Sequence, residues 1–287
     1  QAAGCDTRAM TEETTGGQYC VKGLVQQVLV GLERGVTVVI DHTEHDGPVL
    51  VAATMTLEPQ AGGDHELALP PQRIVEQVKI RTNGKAWTPG EIAEDVLPDL
   101  VKAVRADDGI PTRFRLVTDG ALNCDTLLTF AARLKAMPVA EDPLLALDDR
   151  NSRAFRYGRW LSERGYFQAL MHRAGAKDAG RFWRMLAGFE AEGLVHAAHL
   201  EARIDAVLAE VVDAHEDVVG KRHELVGRMA KLAAAGGSIS AIALLGEAGL
   251  PADRLLHAAR LPRMLGETLD QDMLRAFQRL FRIRNAG

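Results

Sequence analysis

The sequence predicts an α/β domain, a mixed sheet flanked by helices, followed by an all-α domain. Three observations predict it. Strand-like runs crowd into the first half. A helical stretch separates the third of them from the fourth, and three consecutive strands followed by a helical crossover require a mixed sheet with helices packed on it. From about residue 143 onward no run reads as a strand, and Ala-rich segments of helical period are punctuated by glycines. The expected domains are residues 14–138 and 149–287. Their boundary lies in 137–149, where Pro138 and Pro143 bracket an acidic, extended segment.

Residues 17–32 carry apolar side chains at helical spacing and are expected to end as a helix at Gly35. The β-branched run 36–41 predicts a first strand, 49–57 a second and 72–82 a third, with 58–71 expected as a loop rich in Gly, Pro and charge. A helix follows over 89–105, with Thr88 as its cap, Pro89 in its first turn and Glu91, Glu94 and Asp95 near its positive end. Pro98 is expected to interrupt it, because proline lacks the N–H a helix interior needs. Residues 113–118 predict a fourth strand and 123–137 another helix. In the second half, 149–164, 178–191, 196–215, 218–235, 238–248, 251–264 and 270–283 are each compatible with amphipathic helices.

Composition narrows the function. The 287 residues are 47% hydrophobic and 25% charged, the balance of a soluble globular chain. No apolar run approaches the roughly 18–20 residues of a membrane span, so no membrane partner is expected. Cys5, Cys20 and Cys124 are odd in number and lack a C-x-x-C pairing, which speaks against a disulfide framework or structural zinc and for a reducing cytoplasm. A net charge of −5 gives no global electrostatic footprint for nucleic acid, although a local basic trench remains compatible with it. The chain opens on Gln1, which predicts a processed form or a piece of something longer.

The residues that carry chemistry centre on the run 74–80. A strand alternates its side chains between two faces, so Gln77, Lys79 and Arg81 share one, while Ile74, Glu76, Val78 and Ile80 share the other. An amide, an ammonium and a guanidinium side by side suit a phosphate and a metal-bound water. An acidic, His-containing stretch, Asp41-His42-Thr43-Glu44-His45-Asp46, lies some thirty residues upstream. Glu76, on the opposite face, reads as a structural ion-pair residue.

The order of elements and four short motifs resemble the PD-(D/E)xK nuclease superfamily, in its Cap4-like (DUF4297-type) branch from bacterial anti-phage proteins. The motifs are Gly16-Gly17-Gln18-Tyr19 at a helix start, the acidic cluster 41–46 leading into a strand, Gln77-Val78-Lys79 with Thr88 a little later, and Thr118-Asp119 at the end of the fourth strand. The resemblance covers roughly residues 14–135. It implies a restriction-endonuclease-like fold and a metal-dependent endonuclease cleaving double-stranded DNA with Mg²⁺ or Mn²⁺. By the same resemblance Asp46 is the first choice as metal-binding acid, Gln77 replaces a second acid through its amide oxygen, and Glu44 or Asp41 is an accessory ligand. Lys79 then orients the water and stabilises the charged phosphate, and Arg81 and Lys85 grip neighbouring phosphates. Such an effector needs a gate, which implies a homo-oligomer, the helical half, or a sensor domain or protein as partner. No G-x-x-x-x-G-K-[ST] motif marks an ATPase in this chain.

A second class of function competes: a nuclease fold kept without its chemistry, as a binding or assembly module. The unclear acidic cluster, Cys20 where the family often has Gln after the tyrosine, and the negative net charge favour it. A ribonuclease of the same fold is a third reading.

Overall fold

A computed structural model describes residues 23–37, 53–58, 62–81, 84–105, 110–137, 143–147, 155–156, 160–193, 197–209, 217–240, 243–244 and 246. The elements are α1 (23–37), β1 (Thr54–Leu57), β2 (His65–Leu69), β3 (Gln72–Lys79), α2 (Pro89–Asp95), α3 (Leu97–Lys102), β4 (Thr112–Thr118), α4 (Asp125–Ala136) and α5 (Pro143–Ala146). After them come β5 (Phe155–Arg156), β6 (Trp160–Leu161), α6 (Glu163–Arg173), α7 (Ala179–Ala187), β7 (Phe189–Gly193), α8 (Ala197–Ala209), α9 (Val218–Ala235) and β8 (Ser238–Ser240). Among the described residues no helix is long and apolar enough to cross a membrane.

Among the described residues, six strands form one mixed sheet in the order β7-β4-β3-β2-β1-β8. β3 pairs antiparallel with β2 and parallel with β4, and β4 pairs parallel with β7. Alternation along the strands feeds two separate cores. Ile74 and Val78 of β3 and Val117 of β4 pack with α1, α8 and α9 through Leu29, Leu32, Ile204 and Met229. Val75, Phe114 and Leu116 point the other way, into Ile92, Leu127, Phe130, Phe167, Phe182 and Trp183. The fold is therefore a sheet with helices on both faces, as expected for the α/β part.

Several expectations are corrected. α1 runs through Gly35 to residue 37, so Val36 is helical and buried instead of opening a strand. A helical glycine costs about 1 kcal/mol, and here it permits a close approach: a Cβ on Gly35 would stand 3.2 Å from Leu244 and 3.3 Å from Met55. The loop expected over 58–71 contains β2, a central strand between β1 and β3. Its polar residues are compensated by partners that local sequence does not show: His65 lies 3.7 Å from Glu76, and Glu66 pairs with Arg105 at 2.5 Å.

The all-α expectation for 149–287 fails at both edges of the sheet. β7 and β8 come from those residues, and β8 pairs antiparallel with β1. Residues 178–191 were expected as one helix, but α7 stops at Ala187 and the chain turns into β7. α9 matches its expected span, whereas Ser238-Ile239-Ser240 forms a strand where a helix over 238–248 was expected. The helices expected over 251–264 and 270–283 lie outside the described residues.

The crossover from β3 to β4 follows the sequence closely. Thr88 caps α2, its Oγ1 accepting from the Glu91 N–H at 3.4 Å while Glu91 Oε2 accepts from the Thr88 N–H at 3.0 Å. The interruption falls at Val96, and Pro98 sits in the first turn of α3, where its missing N–H costs nothing.

Candidate metal centre

β3 ends on Gln77-Val78-Lys79, and the sheet brings a carboxylate to it. Asp64 stands one residue before β2, its N–H donating to the Glu76 carbonyl (2.8 Å) and its carbonyl accepting from the Glu58 N–H (2.9 Å). The turn into Asp64 needs glycines. Gly62 and Gly63 have φ of 109° and 83°, a region L side chains rarely adopt. A Cβ on Gly62 would collide with the Asp99 carbonyl, and one on Gly63 would lie 2.7 Å from Val75 Cγ1. Gly62→Ala is expected to lower stability by about 1–3 kcal/mol and to displace Asp64, read as a lower melting temperature together with weaker metal-linked stabilisation.

The Asp64 side chain is buried, at 7% exposure. Its Oδ2 accepts from the Val78 N–H (2.6 Å) and from Gln77 Nε2 (2.8 Å). Burial pushes its carboxyl above the ordinary range, opposed by the Val78 N–H, the nearby His65, a hydrogen bond with Gln27 of α1, and Lys79. The neighbouring Glu58 carboxyl is also raised, first by partial burial and then by the Asp64 charge. Gln27, Glu58, Asp64 and His65 line one narrow cleft.

Gln77 is 4% exposed. Its Nε2 is engaged by Asp64, and its Oε1 is buried with no hydrogen-bond partner. Such an orphaned acceptor costs about 1–3 kcal/mol. A half-turn of the Gln77 amide brings its oxygen and nitrogen to each other's places. Exchanging them would set a carbonyl oxygen against the Asp64 carboxylate, an arrangement that a cation between the two oxygens would favour. Lys79 is half-buried, makes no hydrogen bond or ion pair among the described residues, and acts electrostatically on Asp64.

The opposite face of β3 carries a different polar system. Glu76, 2% exposed, accepts from Arg34 Nε (3.2 Å) and Arg115 Nη1 (2.9 Å) through Oε1. Arg34 Nη2 lies 2.7 Å from both oxygens of Glu192, and Arg115 reaches Glu190 at 3.3 Å. Glu33 pairs with Arg34 at 3.3 Å and with Arg203. Burial pushes the Glu76 carboxyl up, but His65, Arg34 and Arg115 outweigh it and hold the carboxyl down at about 2. These partners make Glu76 the structural ion-pair residue the alternation suggested.

The other sequence candidates fare differently. Arg81 lies over the Trp87 ring at 3.9 Å and pairs with Glu91 at 3.1 Å, while its N–H donates to Asp119 Oδ1 at 2.7 Å. Its guanidinium is thus engaged within the protein. Lys85 is exposed on the segment between β3 and α2. Thr118 is fully buried and accepts from Trp87 Nε1 at 2.8 Å. Cys124 is buried, and burial, aided by Asp125, pushes its thiol up to about 11. Asp41, Glu44 and Asp46 lie outside the described residues, as do His42 and His45. Asp64, Glu58 and Gln27 were missed by sequence reasoning. The available signal was the Gly-Gly-Asp turn thirteen residues before Gln77.

No family model and no curated protein matches the chain. Among solved structures it is similar to a Cap4 SAVED/CARF-domain containing receptor from Moraxella osloensis, at 14% identity and a TM-score of 0.39. The match covers 82% of this chain and 49% of the receptor, so the chain spans about half of that protein's length. At that identity and TM-score the likeness assigns neither family nor activity.

Proposed function

We propose that the chain is a metal-dependent endonuclease that cleaves phosphodiester bonds of double-stranded DNA. We further propose that it serves anti-phage defence and is gated by its helical residues, self-assembly or a sensor partner. The observation that carries the catalytic reading is the buried contact of Asp64 with Gln77, whose Oε1 lacks a partner, beside Lys79. The defence context rests on the sequence motifs alone.

The donor set suits a hard divalent cation, which takes carboxylate and amide oxygens and keeps several waters. Asp64 and Gln77 would hold it, with Glu58, or Asp41, Glu44 or Asp46, as accessory ligands. Bound there, Mg²⁺ or Mn²⁺ would polarise a phosphate oxygen and lower the pKa of a water. The chain's own contribution is then electrostatic. Lys79, which makes no hydrogen bond or ion pair among the described residues, would place an ammonium where negative charge builds on the phosphate, a preorganised stabilisation that is strongest where water is excluded. Lys85, exposed between β3 and α2, and Arg81 are the candidates to hold neighbouring phosphates, and Arg81 would first have to leave Glu91 and Trp87.

Cleavage of supercoiled plasmid by the full chain, with and without Mg²⁺ or Mn²⁺, tests this reading. Native protein is expected to cut only with metal and Asp64→Asn not at all. Parallel single-stranded DNA and RNA substrates decide the substrate class.

A catalytically inactive nuclease-fold module is the second reading. It is favoured by one observation: among the described residues, no group of three or more His, Cys, Asp or Glu is arranged to hold a metal ion. Such a module would show no metal-linked rise in melting temperature.

A further inference from the structure

A larger cavity, about 390 Å³, lies at the other end of β3 from the candidate metal centre. From Arg73, a buried lining residue, to Lys79 is six residues of strand, roughly 20 Å. Arg73 and Arg105 share this cavity with Lys135 of α4 and Arg184 of α7, and Phe114 and Trp183 contribute to its apolar wall. No Asp or Glu is among the described residues that line it.

The four cations are not equally committed. Arg105 pairs with Glu66. Lys135 and Arg184 make no ion pair or hydrogen bond among the described residues, and Arg184 Nε is buried without a partner. Both stand in the last turns of their helices, where a cation gains about 0.3–1 kcal/mol from the helix dipole. That accounts for a positive charge on each helix but not for their convergence on one cavity. The carbonyl-rich end of α3 beside them is already served by Arg181, whose Nη2 donates to Lys102 O (3.2 Å) and Val104 O (2.6 Å).

We infer that this cavity is a binding site for a small phosphate-bearing ligand with an apolar ring, of mononucleotide size, and that Lys135 and Arg184 hold its anionic group. Small-molecule sites start at about 300 Å³ and combine an apolar lining with a few convergent polar groups. Arg presents a planar fork to phosphate and Lys a point charge. The apolar wall gives a ligand that carries a ring more to bury than inorganic phosphate alone has.

Isothermal titration of the full chain with AMP, adenosine and inorganic phosphate tests the inference. AMP is expected to bind more tightly than either fragment. Its affinity should fall at least tenfold in Lys135→Ala/Arg184→Ala and remain unchanged in Asp64→Asn. Lys135→Glu, at an exposed position, gives the same reading should the double variant fold poorly. Absence of AMP binding at millimolar concentration would overturn the assignment, as would binding that survives both variants. Binding lost in Asp64→Asn would place AMP at the candidate metal centre instead, and also overturn it. Because binding is the readout, the outcome is independent of nuclease activity.

Discussion

Lys79→Ala is expected to reduce metal-dependent cleavage by about 10²-fold or more, the usual cost of removing a preorganised charge that stabilises a transition state. It should leave the melting temperature nearly unchanged. The asymmetry follows from its surroundings: Lys79 makes no hydrogen bond or ion pair among the described residues, so its removal breaks none of those contacts. Lys79→Arg keeps the charge but not the compact ammonium. Initial rates of plasmid nicking, with melting curves on the same samples, separate the effects. Equal losses of rate and stability would assign Lys79 a structural role.

Glu76→Ala, one residue before Gln77, is expected to do the reverse of a surface substitution. It removes the shared acceptor of Arg34 and Arg115 and leaves two guanidinium groups partly buried and undercompensated. Breaking a buried ion pair from one side costs about 3–5 kcal/mol, a fall in melting temperature of about ten degrees for a domain of this size. The same residue predicts acid sensitivity. Its folded carboxyl lies at about 2, below the ordinary value of 4.5. The stability it contributes is therefore fully present above about pH 4.5 and is lost as the pH falls toward 2. Acid unfolding of the native chain against Glu76→Gln checks this, since the variant should lose most of the pH dependence in that window. Glu33, whose carboxyl is raised first by burial, works in the opposite sense and sharpens the need for the comparison.

How much of this was legible in the sequence depends on whether the deciding partner was local. The cap Thr88-Pro89-Gly90-Glu91 and the break at Pro98 are set by backbone chemistry within a few residues, and both were read correctly. The alternation along β3 separated Gln77 and Lys79 from Glu76, and the two faces do carry different polar systems. β2 escaped because its flanks are Gly62-Gly63 and Pro70-Pro71 and its first two residues are polar. Only Glu76 and Arg105, distant in sequence, make His65 and Glu66 tolerable in a central strand. β7 escaped for a related reason. Phe189-Glu190-Ala191-Glu192 reads as the tail of a helix until Arg34 and Arg115 supply a reason for two glutamates on one strand face. β8 has three residues, too few to show any period.

The candidate site was half legible for the same cause. Gln77 and Lys79 announce themselves by spacing. Asp64 looks like part of a solvated Gly-Gly-Asp turn, and its burial against the Val78 N–H and Gln77 Nε2 exists only once β2 and β3 are paired. That burial also sets an expectation without metal. A carboxyl raised on folding destabilises the fold as pH rises through its folded pKa, so at neutral pH Asp64→Asn should melt at a higher temperature than the native chain.

The measurement that tests the central claim most directly is the melting temperature of native chain, Asp64→Asn and Gln77→Ala as Mn²⁺ is raised from zero to millimolar. A ligand that binds only the folded state stabilises it by RT ln(1 + [L]/Kd), about 2.7 kcal/mol at a hundred times Kd. The account predicts a saturable rise for the native chain, no rise for Asp64→Asn and a weakened one for Gln77→Ala. A rise of the same size in native chain and Asp64→Asn, or none in any of the three, would contradict it.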